Sequence, residues 1–447
     1  MPHEGRPSST NIPEPVPTVL LTNDLATAGY AFGGGRVMDA IDTAAPSRLS
    51  SGIVLQVATE LEAVERMWTA FEEHADCTVF QSFNWLFEWH KHIGAKTNIV
   101  PVIVSASTSR GDPLIILPLS IKKQGRLRRL TWLGDDLCDY NGPLLARDFA
   151  SRVSEQQFAS LWQRILQSIR SDRRLNFDLV VLQRMPEWIG AQRNPFLTIP
   201  VLPNTFGAHV ATLGTNWEEF YRVKRSSSDR KTDRRKFRNL AKHGELQFIE
   251  PSEPDDITRT MELLIRQKRE SYARIQADDI FIRPGYREFF KAISVSPRLT
   301  GIVHVSRLDV GEKPVATGLG LCFKSCYYLV LSSYENNQLA LHSPGRAHLF
   351  DIFRSAIERK YKKFDFTIGD EPYKLEWSDI EVRLFDLLEG ATVSGRLTVA
   401  GKAAVRRANV FICDRPSLRQ PLSRLRRQLA AFRKRPAFDF AGGGSRS

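Results

Sequence analysis

Residues 326–374 constrain the fold more than any other stretch. CYYLVLSS (326–333) is a continuous apolar run rich in aromatic and branched side chains, the pattern of a buried strand. HSPGRAHLFDIF then starts a helix over 344–361, with Leu349, Phe353, Ala356 and Ile357 as its apolar stripe. FDFTI (364–368) reads as a second strand. A strand–helix–strand unit places its strands in parallel with a right-handed crossover, and ligands in such sheets collect beyond the carboxyl ends of the strands. The first strand runs out in SSYENNQ (332–338) and the second in GDEPYK (369–374), so both polar tails face one crevice.

The helix start adds to this crevice. Ser343 stands where an N-cap belongs, and Pro344 takes the first helical position, where its missing N–H costs nothing. Gly345 exposes the first-turn amides, and Arg346 adds a planar cation beside them. Amides, helix dipole and guanidinium together suit a pyrophosphate; a well-capped helix without a ligand is the plain alternative. The residues after FDFTI supply acid–base groups: Asp370 and Glu371 as proton acceptors, with Tyr373, and Tyr334 on the other strand, as proton donors. Lys374 would meet a phosphate or a carboxylate. Turn chemistry after Gly369 and an ion pair at Lys374 remain the alternatives, and Trp377, Trp85 and Trp89 read as packing residues.

Around this unit the chain reads as two α/β halves. The first has strands at 53–57, 97–105, 114–121, 127–133 and 177–182, with helices over 59–75, 80–94 (Gly94 as its stop) and 154–170. Its loop GDDLCDYNGP (134–143) gathers Asp135, Asp136, Asp139 and Tyr140. The second has strands at 209–213, 246–249, 302–308 and 314–323 before the decisive unit, and helices within 216–243, 255–274 and 285–294. Phe177-Asp178 and Phe364-Asp365 begin corresponding strands, a faint sign of duplication.

Charge and cysteine content bound the partners. Of the net charge of +13, residues 224–242 carry nine Lys/Arg against two Asp, and 402–435 carry eleven against one. Both segments call for anionic partners: phosphate-rich cofactors, nucleic acid or lipid. Leu422, Leu425, Leu429 and Phe432 form one apolar helical face among arginines, the composition of an interfacial helix. Five scattered cysteines suit a reducing, cytoplasmic setting, and no metal-ligand spacing occurs. No apolar run spans a membrane, and the Pro/Gly/Ser-rich residues 1–50 read as a disordered leader.

YYLVLSSY, HSPGRAHL and FDFTIGDEPYKLEW together resemble the C-terminal half of the CelD-like (cellulose-biosynthesis) branch of the GNAT acyltransferase superfamily. FQSFNWLFEW and LPLSIKKQGRLRRLTWLGDDLCDYNGPLL resemble that family's N-terminal half, so the likeness covers about 52–380. The resemblance implies an α/β chain of two GNAT-like mixed-sheet lobes in tandem, similar in layout to the FemABX peptidoglycan aminoacyltransferases. Its divisions are a leader (1–50), an N-terminal lobe without a cofactor site (51–205), an acyltransferase lobe (206–390) and a basic extension (391–447). It further implies acetyl-CoA or another acyl-CoA as co-substrate, held by Leu331, Ser332, Ser343, Gly345 and Arg346, with pantetheine between strands 326–333 and 364–368. Asp139, Tyr140, Asp365 and Lys374 would stand on the acceptor side. The reaction implied is acyl transfer from the thioester to an amine, with Asp370 or Glu371 attracting the ammonium form and taking its proton and Tyr334 or Tyr373 protonating the departing thiolate. The acceptor would be an amine of an amino sugar, an amino-acid derivative or a cell-envelope or exopolysaccharide precursor. Two rivals stay open: an aminoacyl-tRNA donor, less favoured by Ser-Pro-Gly-Arg, and a non-catalytic scaffold at the inner face of the membrane. Nothing points to DNA.

Overall fold

The fold, taken from a computed structural model, is described for residues 52–413. The expected leader (1–50) and the expected amphipathic face of Leu422, Leu425, Leu429 and Phe432 lie outside the described residues. Two compact units divide this span, 52–395 and, within the helix Val393–Cys413, 396–413. Among the described residues no helix is long and apolar enough to cross a membrane.

The first unit contains two mixed sheets of the same construction. In one, Ile53–Ala58, Val100–Thr108, Pro113–Gln124 and Leu127–Trp132 form an antiparallel meander. The helix Glu155–Ser171 then leads to Leu179–Pro186, which pairs in parallel with the last of them (Arg129 opposite Leu179, Leu130 opposite Val180). The other repeats the order with Leu246–Ile249, Val303–Val310, Lys313–Phe323 and Cys326–Tyr334, the helix Pro344–Glu358, and the parallel strand Lys363–Ile368. The repetition hinted at by the two Phe-Asp pairs is therefore visible in the topology. Ala208–Thr212 and Ile380–Val382 complete the second sheet. The chain then crosses back: Leu384–Gly390 runs antiparallel to Leu179–Pro186 in the first sheet, with Leu387 opposite Leu182.

Why Cys326–Tyr334 is apolar on both faces follows from its surroundings. Tyr327 and Leu329 pack toward helix Pro344–Glu358, among Phe350 and Phe353. Tyr328 and Val330 point the other way, toward Met261 and Leu264 of helix Pro254–Ile275. A strand buried on both sides cannot show the alternation of a half-exposed one.

The two lobes share one hydrophobic core. The stretch FQSFNWLFEW lies in it, with Trp85 edge-on to Phe289 at 5.1 Å and Phe80 edge-on to Tyr328 at 5.8 Å. It is not the single helix that periodicity predicts. A 3-10 turn (Val79–Gln81) precedes the α-helix Phe83–Trp89, and a π-helical turn (His90–Gly94) follows. Gly94 does not stop the helix; the chain turns away at Asn98, in the left-handed region at φ 54°. Gly94 is glycine for a different reason, since a Cβ there would lie 2.4 Å from His90 Nδ1.

Because Trp85 is buried between side chains of both lobes, Trp85→Ala should cost about 3–5 kcal/mol. Denaturant unfolding followed by fluorescence and circular dichroism should show one coincident transition in both proteins. Two separated transitions in the wild type would mean that the lobes hold together less tightly than this core implies.

Candidate functional site

Strands Cys326–Tyr334 and Lys363–Ile368 pair at only three positions, Cys326–Lys363, Tyr327–Phe364 and Tyr328–Asp365. They then part. On one side Val330 is an extra, bulged residue, since Leu319 faces Leu331 while Gly320 faces Leu329. On the other, Thr367 sits at φ 61°, a conformation that a branched residue adopts only under constraint. Its hydroxyl reaches across to the Leu329 carbonyl at 3.4 Å. Beyond the fork opens a cleft lined by Ser332 and Tyr334 on the strand, Gly345 and Arg346 at the helix start, and Tyr373 from the segment after FDFTI. Five of the residues expected at the site thus line one cleft. Leu331 turns its side chain into the core instead, a consequence of the bulge beside it.

The helix start differs from the expected one. Ser343 adopts φ 56° and ψ 57°, so its hydroxyl does not cap the helix. It accepts a hydrogen bond from Lys236 Nζ at 2.9 Å instead, which ties the basic helix Ser227–Leu240 to this end of the cleft. The Ser343 carbonyl takes the amides of both Arg346 and Ala347, each at 3.1 Å, leaving Gly345 N–H as a first-turn donor without an intrahelical acceptor. Gly345 is also a close approach: a Cβ there would meet Tyr334 Cδ1 at 3.0 Å. Arg346 faces Asp233 at 3.4 Å and Glu376 at 3.2 Å, so the guanidinium is anchored before any ligand arrives. The equivalent helix of the first lobe is closed off by a full capping box, with Ser154 Oγ accepting from the Gln157 amide and the Gln157 side chain accepting from the Ser154 amide.

Past the fork the polar residues divide into two groups. Asp370 is half-exposed, with His209 Nε2 at 3.0 Å from its carboxylate. Glu371 is buried beside Lys374, Oε2 to Nζ 2.9 Å, close enough for an ion pair though poorly aligned as a hydrogen bond. Lys374 is fully buried and donates to the Ile368 carbonyl at 2.7 Å. Asp139 and Tyr140, from the first lobe's loop, come to the same place. Tyr140 donates its hydroxyl to Asp365 at 2.7 Å, and the Thr367 amide donates to the same oxygen at 2.8 Å. Asp139, Tyr140, Asp365 and Lys374 are buried rather than forming an open wall: Tyr140 is bonded to Asp365, Lys374 is held by Ile368 and Glu371, and one oxygen of Asp139 has no hydrogen-bond partner.

Burial dominates the electrostatics. It pushes the Asp365 carboxyl up to about 7 despite the Tyr140 hydroxyl, and Asp139 up to about 6 despite Arg184 and Lys374. It also pulls Lys268, in helix Pro254–Ile275, down to about 7 against the attraction of Glu371. His348 lines the cleft but is held neutral, down to about 3, with its ring hydrogen-bonded to Ser306 at 3.0 Å. It makes a poor proton acceptor. Among the described residues no group of three or more His, Cys, Asp or Glu side chains could hold a metal ion.

Several site residues escape the sequence reading. Ser271 and Arg274 line the cleft from helix Pro254–Ile275, and Asp233, Lys236 and Glu376 frame the helix start. Lys268 alone leaves a signal: it falls on the apolar stripe Met261, Leu264, Ile265, Tyr272, where a lysine is out of place.

Residues 227–375 match the model of the acetyltransferase (GNAT) domain family. No curated protein matches the chain. Solved structures are similar to the chain at low identity. The FemX structure is 10% identical with a TM-score of 0.50, covering 72% of this chain and 95% of its own. A conserved protein of unknown function from Bacteroides thetaiotaomicron is 10% identical (TM-score 0.47, 75% and 99% covered). A tandem GNAT protein from the clavulanic acid biosynthesis pathway is 11% identical (TM-score 0.42, 76% and 99% covered). Residues 227–375 carry a GNAT acetyltransferase domain, one of two sheets of the same construction in this chain, and the chain is an enzyme of the N-acyltransferase class.

The raised Asp365 carboxyl makes a signed prediction. An unfolded aspartate titrates near ~3.9, so between there and about 7 the folded chain holds the extra proton and stability falls as pH rises. Asp365→Asn keeps an oxygen for Tyr140 and Thr367 but does not titrate. The melting temperature of the variant relative to wild type should therefore increase from about pH 5 to about pH 8. A difference that does not change with pH would mean that the carboxyl ionises as in water.

Proposed function

We propose that the chain is an acyl-CoA-dependent N-acyltransferase of the CelD-like branch, acting on an amine of an amino sugar, an amino-acid derivative or a cell-envelope precursor. One observation carries this reading: the fork between two parallel strands opens directly onto a helix start that lacks a side-chain cap. An extended, amide-bearing arm such as pantetheine suits the strand edge at Ser332–Tyr334. A pyrophosphate suits Gly345 N–H and Arg346, with Lys236 close behind. The capped helix of the first lobe offers no equivalent, which supports a cofactor-free first lobe.

In the reaction the amine nitrogen attacks the thioester carbonyl, the carbon–sulfur bond breaks, and the thiolate takes a proton. Tyr373, in the cleft wall after FDFTI, is the proton donor to the sulfur. Of the two carboxylates, Glu371 is occupied by Lys374, so Asp370, with His209 behind it, is the one exposed to receive the ammonium proton. Asp139 and Tyr140 of the first lobe, set against Asp365 and Lys374 of the second, hold the acceptor end of the fork in place.

Calorimetry with CoA, acetyl-CoA and tRNA tests the donor. Gly345→Glu should abolish CoA binding, because it places a carboxylate among the phosphate-binding groups and crowds Tyr334. Arg346→Ala should weaken binding by about 1–3 kcal/mol. If both variants bind CoA like wild type, or tRNA binds where CoA does not, the acyl-CoA reading fails. With an acceptor found by screening amines for thiol release, Tyr373→Phe should lower turnover about tenfold or more at unchanged CoA affinity. Full turnover in that variant would remove Tyr373 from the chemistry.

A further inference from the structure

Helix Ser227–Leu240 buries Asp233 and Leu240, and half-buries Phe237, on the side facing the start of helix Pro344–Glu358. Its opposite side is built differently. Lys231, Arg234, Arg235 and Arg238, continued by Lys242 in the next turn, recur at the three-, four-, seven- and eleven-residue spacings of one helical face, a stripe roughly 16 Å long. All five are exposed, and none makes an ion pair among the described residues. The helix's two aspartates are turned elsewhere, Asp229 to Ser226 and Arg225, Asp233 to Tyr221 and Arg346. Two aliphatic side chains stand out at either end. Leu341 is 79% exposed on the turn Gln338–His342, whose Leu339 packs against the same small apolar cluster as Phe237 and whose His342 stacks on His243 in the turn just past this helix. Val223 is 73% exposed next to exposed Arg222.

We propose that this face docks on the surface of an anionic phospholipid bilayer, the cations against headgroup phosphates and Leu341 and Val223 inserted at the interface. Cations flanked by exposed aliphatic tips match a bilayer better than a nucleic acid. The stripe carries no aromatic ring for stacking on bases, and a sugar–phosphate backbone rewards neither aliphatic tip. In that orientation the helix lies between the bilayer and the cleft, because Lys236 and Asp233, on its other side, hold Ser343 and Arg346 at the cleft. The proposal stands whether or not the donor is acyl-CoA.

The test is sedimentation of the full chain with vesicles of phosphatidylcholine, with and without about one third phosphatidylglycerol, at roughly 0.1 M salt. Wild type should sediment with the anionic vesicles alone. Each cation near such a surface adds roughly fivefold to partitioning, so Arg234→Glu/Arg235→Glu/Arg238→Glu should lower it at least about tenfold. The milder triple change to Gln should act in the same direction. Leu341→Ser should lower binding severalfold and leave its salt dependence intact. Three results overturn the proposal: no binding to anionic vesicles, triple variants that bind like wild type (which would move the contact to the basic segment 402–435), or binding to RNA that displaces vesicles and ignores Leu341→Ser.

Discussion

Two parallel strands that stop pairing after three residues leave backbone groups without a ladder, and a buried amide or carbonyl without a partner is costly. Much of the polar chemistry in FDFTIGDEPYK answers that need. Asp365 takes the Thr367 amide, the Thr367 hydroxyl reaches the Leu329 carbonyl, and the Lys374 ammonium takes the Ile368 carbonyl. Gly369 donates its amide to Gly207. What stays open is the edge along Ser332–Tyr334, and that edge is the cleft. A polar run straight after a core strand is thus first a substitute for a missing strand partner.

Burying those substitutes brings its own cost, met from the other lobe. Asp365 would be a poorly solvated carboxyl without the Tyr140 hydroxyl, and Asp139 sits among Arg184, Lys374 and the Thr367 hydroxyl. A buried cluster of this kind adds little net stability, since desolvation offsets most of the attraction. Its value is specificity. A tyrosine that must meet one carboxyl fixes how the two lobes register, more narrowly than the shared aromatic core would.

The strand–helix–strand unit was legible from the apolar runs at 326–333 and 364–368 and the stripe of the helix between them, whereas strands Ile380–Val382 and Leu384–Gly390, and the return of the latter to the first sheet, were not. The helix start was legible in position but not in detail. Ser-Pro-Gly reads as an N-cap, yet Ser343 enters the left-handed region and hands its hydroxyl to Lys236, a partner 107 residues away that no local pattern announces. The stretch 80–94 misled for a related reason. Aromatic residues there are buried between lobes on every side, so a stripe such as Phe83, Leu86, Phe87 could not reveal that the helix changes to a π-turn at His90. Tyr140 with Asp365, and Lys236 with Ser343, are long-range pairings, and a single sequence carries no trace of who meets whom.

The strand Leu384–Gly390 has an effect on the order of assembly. The first sheet needs it beside Leu179–Pro186, yet the whole second sheet is synthesised in between. A nascent chain emerging from the ribosome would expose the edge of Leu179–Pro186 until nearly two hundred further residues had followed. The first lobe is begun early and finished last, so the chain cannot be built as two beads on a string, each completed before the next begins.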